Sequence, residues 1–386
     1  MANYSRLSAL FLVLAGVPLS AAAEARVSDA IIAVGIAHKV RSLVLKPEGQ
    51  FSVIDQSTGE MKRLQQGQRY KVEADGGKRI ILGPFLFSGP VRLLPGGPGE
   101  HVFVGERKYR GNILFRPNKD DTVTAVDEVG LEDYLCGVLP KEMSPDWPLE
   151  ALKAQAVVAR TFALTNLGRF SKSGYDLSDS MLSQVYGGLE IESARVRQAV
   201  DETSGQVLRW QGKLMPTYFH ASSGGRTADP TEVWSPRGST PKPLRGVHDR
   251  YDKQSPHADW SAYFRNIDIL QALSPHGIQG AVISDIRYGQ RTRSGRLKDV
   301  RLRIDGGWVR VSTTDLRLWL GAQELKSTMI HIVKRRKNGI EFFGSGYGHG
   351  VGLSQWGARV QAEKGRTYRQ ILEYYFPGVS LGMHEG

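Results

Sequence analysis

Three charged residues in the segment LPKEMSPDWPLEALKAQAVVART, residues 139–161, have types and a spacing that suit a catalytic site. Glu142 stands in a proline-flanked connection near Trp147, and apolar surroundings raise the pKa of a carboxyl group as a general acid requires. An ordinary surface glutamate is the alternative. Lys153 and Arg160 are seven residues apart and lie on one side of the following helix. Orienting a carboxylate, binding a substrate carboxylate and forming structural ion pairs are the three roles open to them.

A second group of candidates lies in GSGYGHGVGLSQWGA, residues 344–358. Glycine occupies every second position from 344 to 352, a spacing that weakens a strand interior. Such glycines let another backbone or a polymer ligand come close. His349 is then either a proton carrier or hydrogen-bond donor, or a satisfied histidine in a packed core.

A third candidate segment is HASSGGRT, which contains His220 and Ser222. A serine near a histidine suggests nucleophilic hydrolysis, but the GxSxG motif is absent and the signal is weak. The histidines are scattered without HExxH or similar spacing, so we predict neither a metal site nor a cofactor. The single cysteine, Cys136, excludes an internal disulfide and a multi-cysteine zinc cage, and we expect its thiol to be buried.

The N-terminal segment has the three parts of a secretory signal peptide. Arg6 is basic, residues 7–17 are apolar but shorter than the about 20 residues that span a bilayer, and residues 20–23 are small. We predict that residues 1–23 are removed and that the protein is exported to the periplasm or cell wall, without stable membrane insertion after cleavage. A buried N-terminal helix is the alternative.

The charge of the chain favours anionic partners. The net charge is +12 at pH 7, and outside the cytoplasm this suits cell-wall carboxylates, wall phosphates or membrane head groups. Export argues against nucleic acid as the partner.

The 386 residues, 40% of them hydrophobic, suffice for two or three domains and a real core, and they exclude intrinsic disorder. Alternating runs such as FSVID and VRLLP between turn residues predict a β-rich region over residues 24–106. A short helix over 131–139 and a long alanine-rich helix over about 148–169, with Asp146 as its N-cap, are expected next. Asn338-Gly339 predicts a type I′ hairpin.

Several long motifs resemble the SpoIID/LytB family of bacterial cell-wall proteins. They are LEDYLCGVLPKEMSPDWPLEALKAQAVVARTFAL, SQVYGG, AVDETSGQVLRWQGKLMPTYFHASSGGRT and GYGHGVGLSQWGARVQAEKGRTYRQILEYYFPGV. The resemblance implies an α+β fold, β-rich with a long alanine-rich helix and a cleft between subdomains. It predicts a family domain over 107–386, with a core signature over about 110–235, an inserted β-rich part over about 240–340 and a C-terminal motif and helix over 344–386.

The resemblance also implies a reaction, the lytic transglycosylase cleavage of peptidoglycan between N-acetylmuramic acid and N-acetylglucosamine with 1,6-anhydro ends. Glu142 matches the catalytic acid of the family. The resemblance further suggests substrate-binding residues, which are Lys153, Arg160, Gln184, Tyr186, His220, Ser222, His349 and Gln355.

The resemblance leaves two points open. Some sporulation members hold zinc with a histidine and two cysteines, whereas this sequence offers only His220 and a distant Cys136, which puts zinc in doubt. The family also includes amidase enhancers, so the alternative to an enzyme is a non-catalytic peptidoglycan-binding activator of a cell-wall amidase.

Overall fold

The structure of the protein is a computed structural model that describes residues 30–234 and 239–384. The predicted signal peptide, residues 1–23, lies outside the described residues. Among the helices that are described, none combines the length and the apolar character needed to cross a membrane.

Strands form the larger part of the regular structure, and the α+β, β-rich class that the sequence predicts is confirmed. In chain order, strands β1 to β24 are Ile31–Val40, Ser42–Glu48, Phe51–Asp55, Met61–Leu64, Tyr70–Asp75, Arg79–Leu82, Phe85–Phe87, Val91–Pro95, His101–Val104, Arg107–Tyr109, Asn112–Pro117, Val123–Gly130, Leu177–Ser178, Gln206–Trp210, Lys213–Leu214, Phe219–His220, Trp260–Arg265, Ile283–Tyr288, Asp299–Ile304, Gly307–Ser312, Ile330–Arg336, Gly339–Gly344, Leu353–Ser354 and Ser380–Met383. Helices α1 to α8 are Leu131–Glu142, Leu149–Thr165, Ala194–Asp201, Pro230–Val233, Asn266–Leu273, Thr313–Trp319, Gln355–Glu363 and Tyr368–Tyr375.

The N-terminal strands build two sheets that share one hydrophobic core with α1 and α2. One sheet has seven strands in the order β13-β1-β12-β11-β8-β3-β4, and the other has six in the order β10-β9-β2-β5-β6-β7. Buried and partly exposed residues alternate along β3, as expected of a strand with one face on the core. Strands from both sides of residue 107 therefore belong to the same sheet.

Helix α2 is the central element of this core. Residues 151–164 are buried on nearly every side of the helix, except at Lys153. The helix packs against α1, α3, α7, α8 and β14, and its alanines let these elements come close because they carry no bulk beyond Cβ. The predicted N-cap was wrong, since Pro148 precedes the first turn without a side-chain cap. The helix also ends earlier than predicted, at Thr165 rather than near residue 169.

Residues 260–342 contribute a second hydrophobic core. Two three-stranded sheets, β17-β22-β21 and β18-β19-β20, enclose it together with α5 and α6. The predicted hairpin between β21 and β22 is confirmed. The predicted type I′ turn was wrong. Arg336 pairs with Gly339, so Lys337 and Asn338 are the central residues of the turn, and neither has the positive φ that a type I′ turn requires.

A glycine in α1 sets how closely the loop after β13 packs against that helix. A Cβ at Gly137 would lie 2.4 Å from Cε2 of Tyr186 and 3.1 Å from the carbonyl oxygen of Gly188. Alanine normally stabilises a helix interior relative to glycine, but here the tyrosine ring occupies the space.

We therefore expect Gly137→Ala to lower the free energy of unfolding by about 1–3 kcal/mol, the usual cost of overpacking a core. Chemical denaturation monitored by circular dichroism measures this. Gly307→Ala is the control, since its Cβ would meet only the carbonyl oxygen of Ile304 at 3.6 Å, and its effect should stay within about 0.5 kcal/mol. Equal stability of the Gly137→Ala variant and the unmodified protein would contradict the packing described.

Candidate active site

Glu142 is the last residue of α1. The sequence predicts that this helix ends at residue 139, but it continues through Pro140 for three more residues. The backbone N–H of Met143 donates to the carbonyl of Leu139, and Met143 is extended, which ends the helix. A proline in the last turn removes one N–H donor without stopping the helix at once. Glu142 is thus carried by a packed helix rather than by a free connection.

Glu142 as a residue is partly exposed, and protein surrounds its carboxyl group. Burial raises its pKa above the ordinary glutamate value, while hydrogen bonding to the backbone N–H of Val185 and to the side chain of Gln355 partly offsets the rise. Desolvation is the largest of these effects, so the net shift is upward. Three separate motifs, PKEM, SQVYGG and GLSQWGA, therefore meet at this one carboxyl group.

The contact between Gln355 and Glu142 is loose. Gln355 is 5% exposed, and its Nε2 atom has no partner in full hydrogen-bonding geometry among the described residues. A buried amide N–H without a partner is costly. Hydrogen bonds of this kind are often long in a free site and tighten when substrate arrives.

Gln184 and Tyr186 lie on the loop that brings Val185 to Glu142. The hydroxyl of Tyr134 donates to Oε1 of Gln184 at 3.3 Å, and the hydroxyl of Tyr186 donates to Oδ2 of Asp127 at 2.9 Å. All four side chains are buried. Both Gln184 and Tyr186 therefore hold the loop in place, and neither offers the exposed surface that substrate binding needs.

Lys153 and Arg160 form structural ion pairs, the third of the roles open to them. The ammonium of Lys153 lies 2.8 Å from Oε1 of Glu150 and 2.6 Å from Oε2 of Glu202. Arg160 is 0% exposed, donates twice to the carboxylate of Glu132 and also donates to the carbonyl of Gln206. A guanidinium without exposed surface cannot contact a glycan strand. The substrate-binding role expected of Arg160 is corrected accordingly.

His220 and Ser222 do not form a catalytic pair. The hydroxyl of Ser222 donates to Oδ2 of Asp252 at 2.7 Å, whereas Nδ1 of His220 lies 3.0 Å from the carbonyl of Val351. Burial lowers the pKa of His220 well below its ordinary value. Both side chains are buried, so they support the segment that carries them.

His349 packs against His220, with ring centroids 5.7 Å apart, and its Nδ1 accepts the N–H of Val351 at 3.0 Å. Burial lowers the pKa of His349 to about 3, so its ring is neutral near pH 7. The residue is nevertheless partly exposed, so its role as a hydrogen-bond donor stays a prediction. Over residues 30–234 and 239–384, no three or more His, Cys, Asp or Glu side chains are grouped as metal ligands would be. Cys136 is buried, as predicted.

The alternating glycines let two backbones approach each other. A Cβ at Gly346 would lie 2.8 Å from the backbone nitrogen of Gly224, and one at Gly348 would lie 2.9 Å from Cβ of His220. Both glycines have positive φ. β16 and β23, on either side of this contact, pair in parallel through Phe219 and Leu353. The close approach is therefore to protein backbone, the first of the two alternatives.

Residues that sequence reasoning missed also contribute to the site. Tyr134 is close enough to Glu142 for the carboxylate to help raise its pKa. Tyr134, Val138 and Glu142 follow a spacing of four, and this signal becomes visible only when α1 extends to Glu142. No local sequence pattern marks Val185, because it contributes to the site through its backbone N–H and not through its side chain.

The sequence matches two family models. One, described as stage II sporulation protein (SpoIID), covers residues 119–210, which include Glu142 and Val185. The other, described as a domain of unknown function (DUF8618), covers residues 250–352, which include the second core.

Known proteins of several bacteria are similar to the chain. An uncharacterised protein of Brachyspira hyodysenteriae is 36% identical over 275 residues, which are 71% of this chain and 72% of that protein. The chain belongs to the SpoIID/LytB family. The amidase enhancer of Bacillus subtilis is 30% identical over 85% of this chain, which spans about half (52%) of that relative. Stage II sporulation protein D of the same organism is 28% identical over 67% of this chain and 76% of that protein. Membership of the SpoIID/LytB family assigns the chain to bacterial cell-wall remodelling.

The raised pKa of Glu142 has a consequence for stability. A carboxyl group whose pKa is higher in the folded state stabilises the fold fully below the unfolded pKa, and this contribution is lost as pH rises through the folded pKa. Glu142→Gln removes the ionisation and keeps the shape.

We expect the variant Glu142→Gln to gain stability relative to the unmodified protein as pH rises from 4 to 7.5. Thermal unfolding midpoints over that range measure the difference. Glu106→Gln, at an exposed turn between β9 and β10, is the matched control and should show no such pH-dependent gain. If the difference in unfolding midpoint between Glu142→Gln and the unmodified protein is independent of pH, or shrinks with rising pH, the carboxyl group of Glu142 is not desolvated.

Proposed function

We propose that the protein is an exported lytic transglycosylase that cleaves peptidoglycan between N-acetylmuramic acid and N-acetylglucosamine. The observation that carries the proposal is Glu142 itself. The residue is partly exposed, burial raises the pKa of its carboxyl group, and the loose amide of Gln355 faces that group. A general acid near neutral pH needs this combination of access and elevated pKa.

Glu142 acts twice in the proposed reaction. Its proton passes to the glycosidic oxygen as the bond between that oxygen and C1 of the muramyl residue breaks. The resulting carboxylate takes the proton of the C6 hydroxyl of the same residue while that oxygen bonds to C1. The products are a free 4-hydroxyl on one strand and a 1,6-anhydro end on the other, and Glu142 is protonated again.

One carboxyl group suffices for this sequence of steps. A hydrolytic glycosidase uses two carboxyl groups, of which the second activates water or attacks C1. Here burial, Val185 and Gln355 account for the pKa of Glu142, and no second carboxylate from the described residues contributes to it. An intramolecular hydroxyl takes the place of water.

Peptidoglycan glycan strands are the proposed partner, and the periplasm or cell wall is the proposed location. The net charge of +12 suits an anionic wall polymer. The N-terminal signal pattern of residues 1–23 supports export.

A second candidate function is that of a non-catalytic enhancer of a cell-wall amidase. It is favoured by the 30% identity to the amidase enhancer of Bacillus subtilis. An enhancer would bind peptidoglycan and release no anhydro ends by itself, which separates the two candidates in one assay.

We expect Glu142→Gln to lower the release of 1,6-anhydro products from purified peptidoglycan by about 10²- to 10⁴-fold, the usual contribution of general acid–base catalysis. Mass spectrometry of the soluble products measures this, and co-sedimentation should show unchanged binding to peptidoglycan. Glu106→Gln, at an exposed turn between β9 and β10, serves as the control and should keep full activity. Full activity of the Glu142→Gln variant would end the assignment, and an unmodified protein that forms anhydro ends only beside a partner amidase would favour the enhancer.

The interaction of the Gln355 amide with Glu142 leads to a separate prediction about the pH dependence of the reaction. The general acid must be protonated, so kcat/KM is constant below the pKa of Glu142 and falls above it. Because the amide lowers that pKa, Gln355→Leu should move the descending limb to higher pH.

The pH dependence of kcat/KM on a soluble glycan substrate measures the shift. Gln361→Leu, a change of another buried glutamine on α7, is the matched control and should leave the limb in place. A limb that stays fixed in Gln355→Leu, or that moves to lower pH, would show that the amide does not act on Glu142.

A further inference from the structure

Two tryptophans and an arginine, close in sequence to Glu142 or to Gln355, form a cluster that the proposed reaction does not use. The rings of Trp147 and Trp356 meet edge to face with centroids 5.0 Å apart. The guanidinium of Arg359 lies over both, 5.4 Å from the centroid of Trp147 and 4.8 Å from that of Trp356. All three side chains remain partly exposed.

Two short sequence connections link this cluster to the acid. Trp147 follows Glu142 by five residues, across the turn that separates α1 from α2. Trp356 directly follows Gln355, whose side chain interacts with the carboxyl group. On α7, Arg359 lies one turn beyond Gln355 on the same side of the helix, a rise of about 6 Å. We infer that a polymer bound at Glu142 and extending along α7 reaches Arg359 and the rings beneath it.

One hydrogen bond orients Arg359 and leaves other donors of its guanidinium free. Its Nε donates to Oε1 of Glu363 at 2.7 Å, and its side chain is 33% exposed. Its two terminal nitrogens make no hydrogen bond to another described residue. Held by one nitrogen and stacked on two rings, the guanidinium presents a fork that suits a carboxylate.

We propose that Trp147, Trp356 and Arg359 form a subsite that binds a carboxylate-bearing sugar residue of the glycan strand. The apolar face of the sugar lies on the indole rings, and its carboxylate binds the free arms of Arg359. Arg359 is then the residue that distinguishes an acidic muramyl glycan from neutral chitin. The inference rests on the proposed function, since it names the feature of the substrate that this same site recognises.

Two sources supply such a carboxylate. It is either the lactyl group of a muramyl residue or a carboxylate of the peptide attached to it. Both have the same chemistry at the guanidinium, and the ligands of the experiment tell them apart.

The test measures binding in the Glu142→Gln background, so that its result does not depend on turnover. Isothermal titration compares a muramyl tetrasaccharide without peptide, the same sugar with its lactyl carboxyl groups methylamidated, a peptide-bearing tetrasaccharide and chitotetraose. The background protein should bind an acidic glycan about tenfold more tightly than chitotetraose, which corresponds to a difference of about 1.4 kcal/mol. Loss of this preference on methylamidation assigns the carboxylate to the lactyl group, and a preference confined to the peptide-bearing glycan assigns it to the peptide.

Three substitutions then test which side chains recognise the carboxylate of the glycan. Arg359→Gln should remove the preference by weakening only the acidic ligand about tenfold, and Trp356→Leu should weaken acidic and neutral ligands alike. Arg369→Gln is the matched control, because Arg369 is exposed and stacks over Tyr368 alone, and it should change neither affinity. Thermal unfolding midpoints verify that each variant is folded.

Equal affinity of the background protein for acidic and neutral glycans would overturn the proposal, as would an Arg359→Gln variant that keeps the preference. Neither result would touch the role of Glu142, which is tested by anhydro product release. Conversely, a loss of the catalytic assignment would leave the measured preference and its dependence on Arg359 intact.

Discussion

The desolvation of one carboxyl group is the constraint on which the site depends. Glu142 is at the end of a packed helix, and the cost of ionising it there is only partly offset by one backbone N–H and one amide. A fully solvated carboxyl would lose its proton near pH 4, and a fully buried one could not reach a substrate. The partial exposure of Glu142 lies between these limits, and the surrounding elements are arranged to maintain it.

The most distant of these elements in sequence is α7, and a buried aspartate determines where it begins. The carboxylate of Asp252 accepts hydrogen bonds from the hydroxyls of Ser222 and Ser354 and from the backbone N–H of Gly224. Ser354 is also the N-cap of α7, accepting the N–H of Gly357. The first residue of that helix is Gln355, so the aspartate network places the amide that faces Glu142. Serines and glycines that suggest a hydrolase in the sequence serve here as scaffold.

Features with a local cause were predictable from the sequence, and features with a distant partner were not. The strands of the N-terminal sheets follow from their period-two alternation, whereas the catalytic role of Glu142 stays a prediction from its motif. The all-round burial of α2 leaves no periodic signal, because alanine suits a buried and an exposed position equally. The partner of Arg160 is Glu132, on a different helix, and only the tertiary structure shows that this cation is neutralised. The contact between Glu142 and Gln355 joins two segments that are far apart in sequence and likewise requires the fold.

The most direct test of the account is the titration of Glu142 itself. Carbon-13 NMR of the protein labelled at the glutamate side-chain carboxyl carbons, with the Glu142 signal assigned by its absence in Glu142→Gln, gives the pKa of this group without reference to any reaction. Desolvation of the carboxyl group predicts a midpoint clearly above the roughly 4.3 of a solvated glutamate. A midpoint at or below that value would mean that the carboxyl group is not desolvated, and the proposed general acid would have no physical basis.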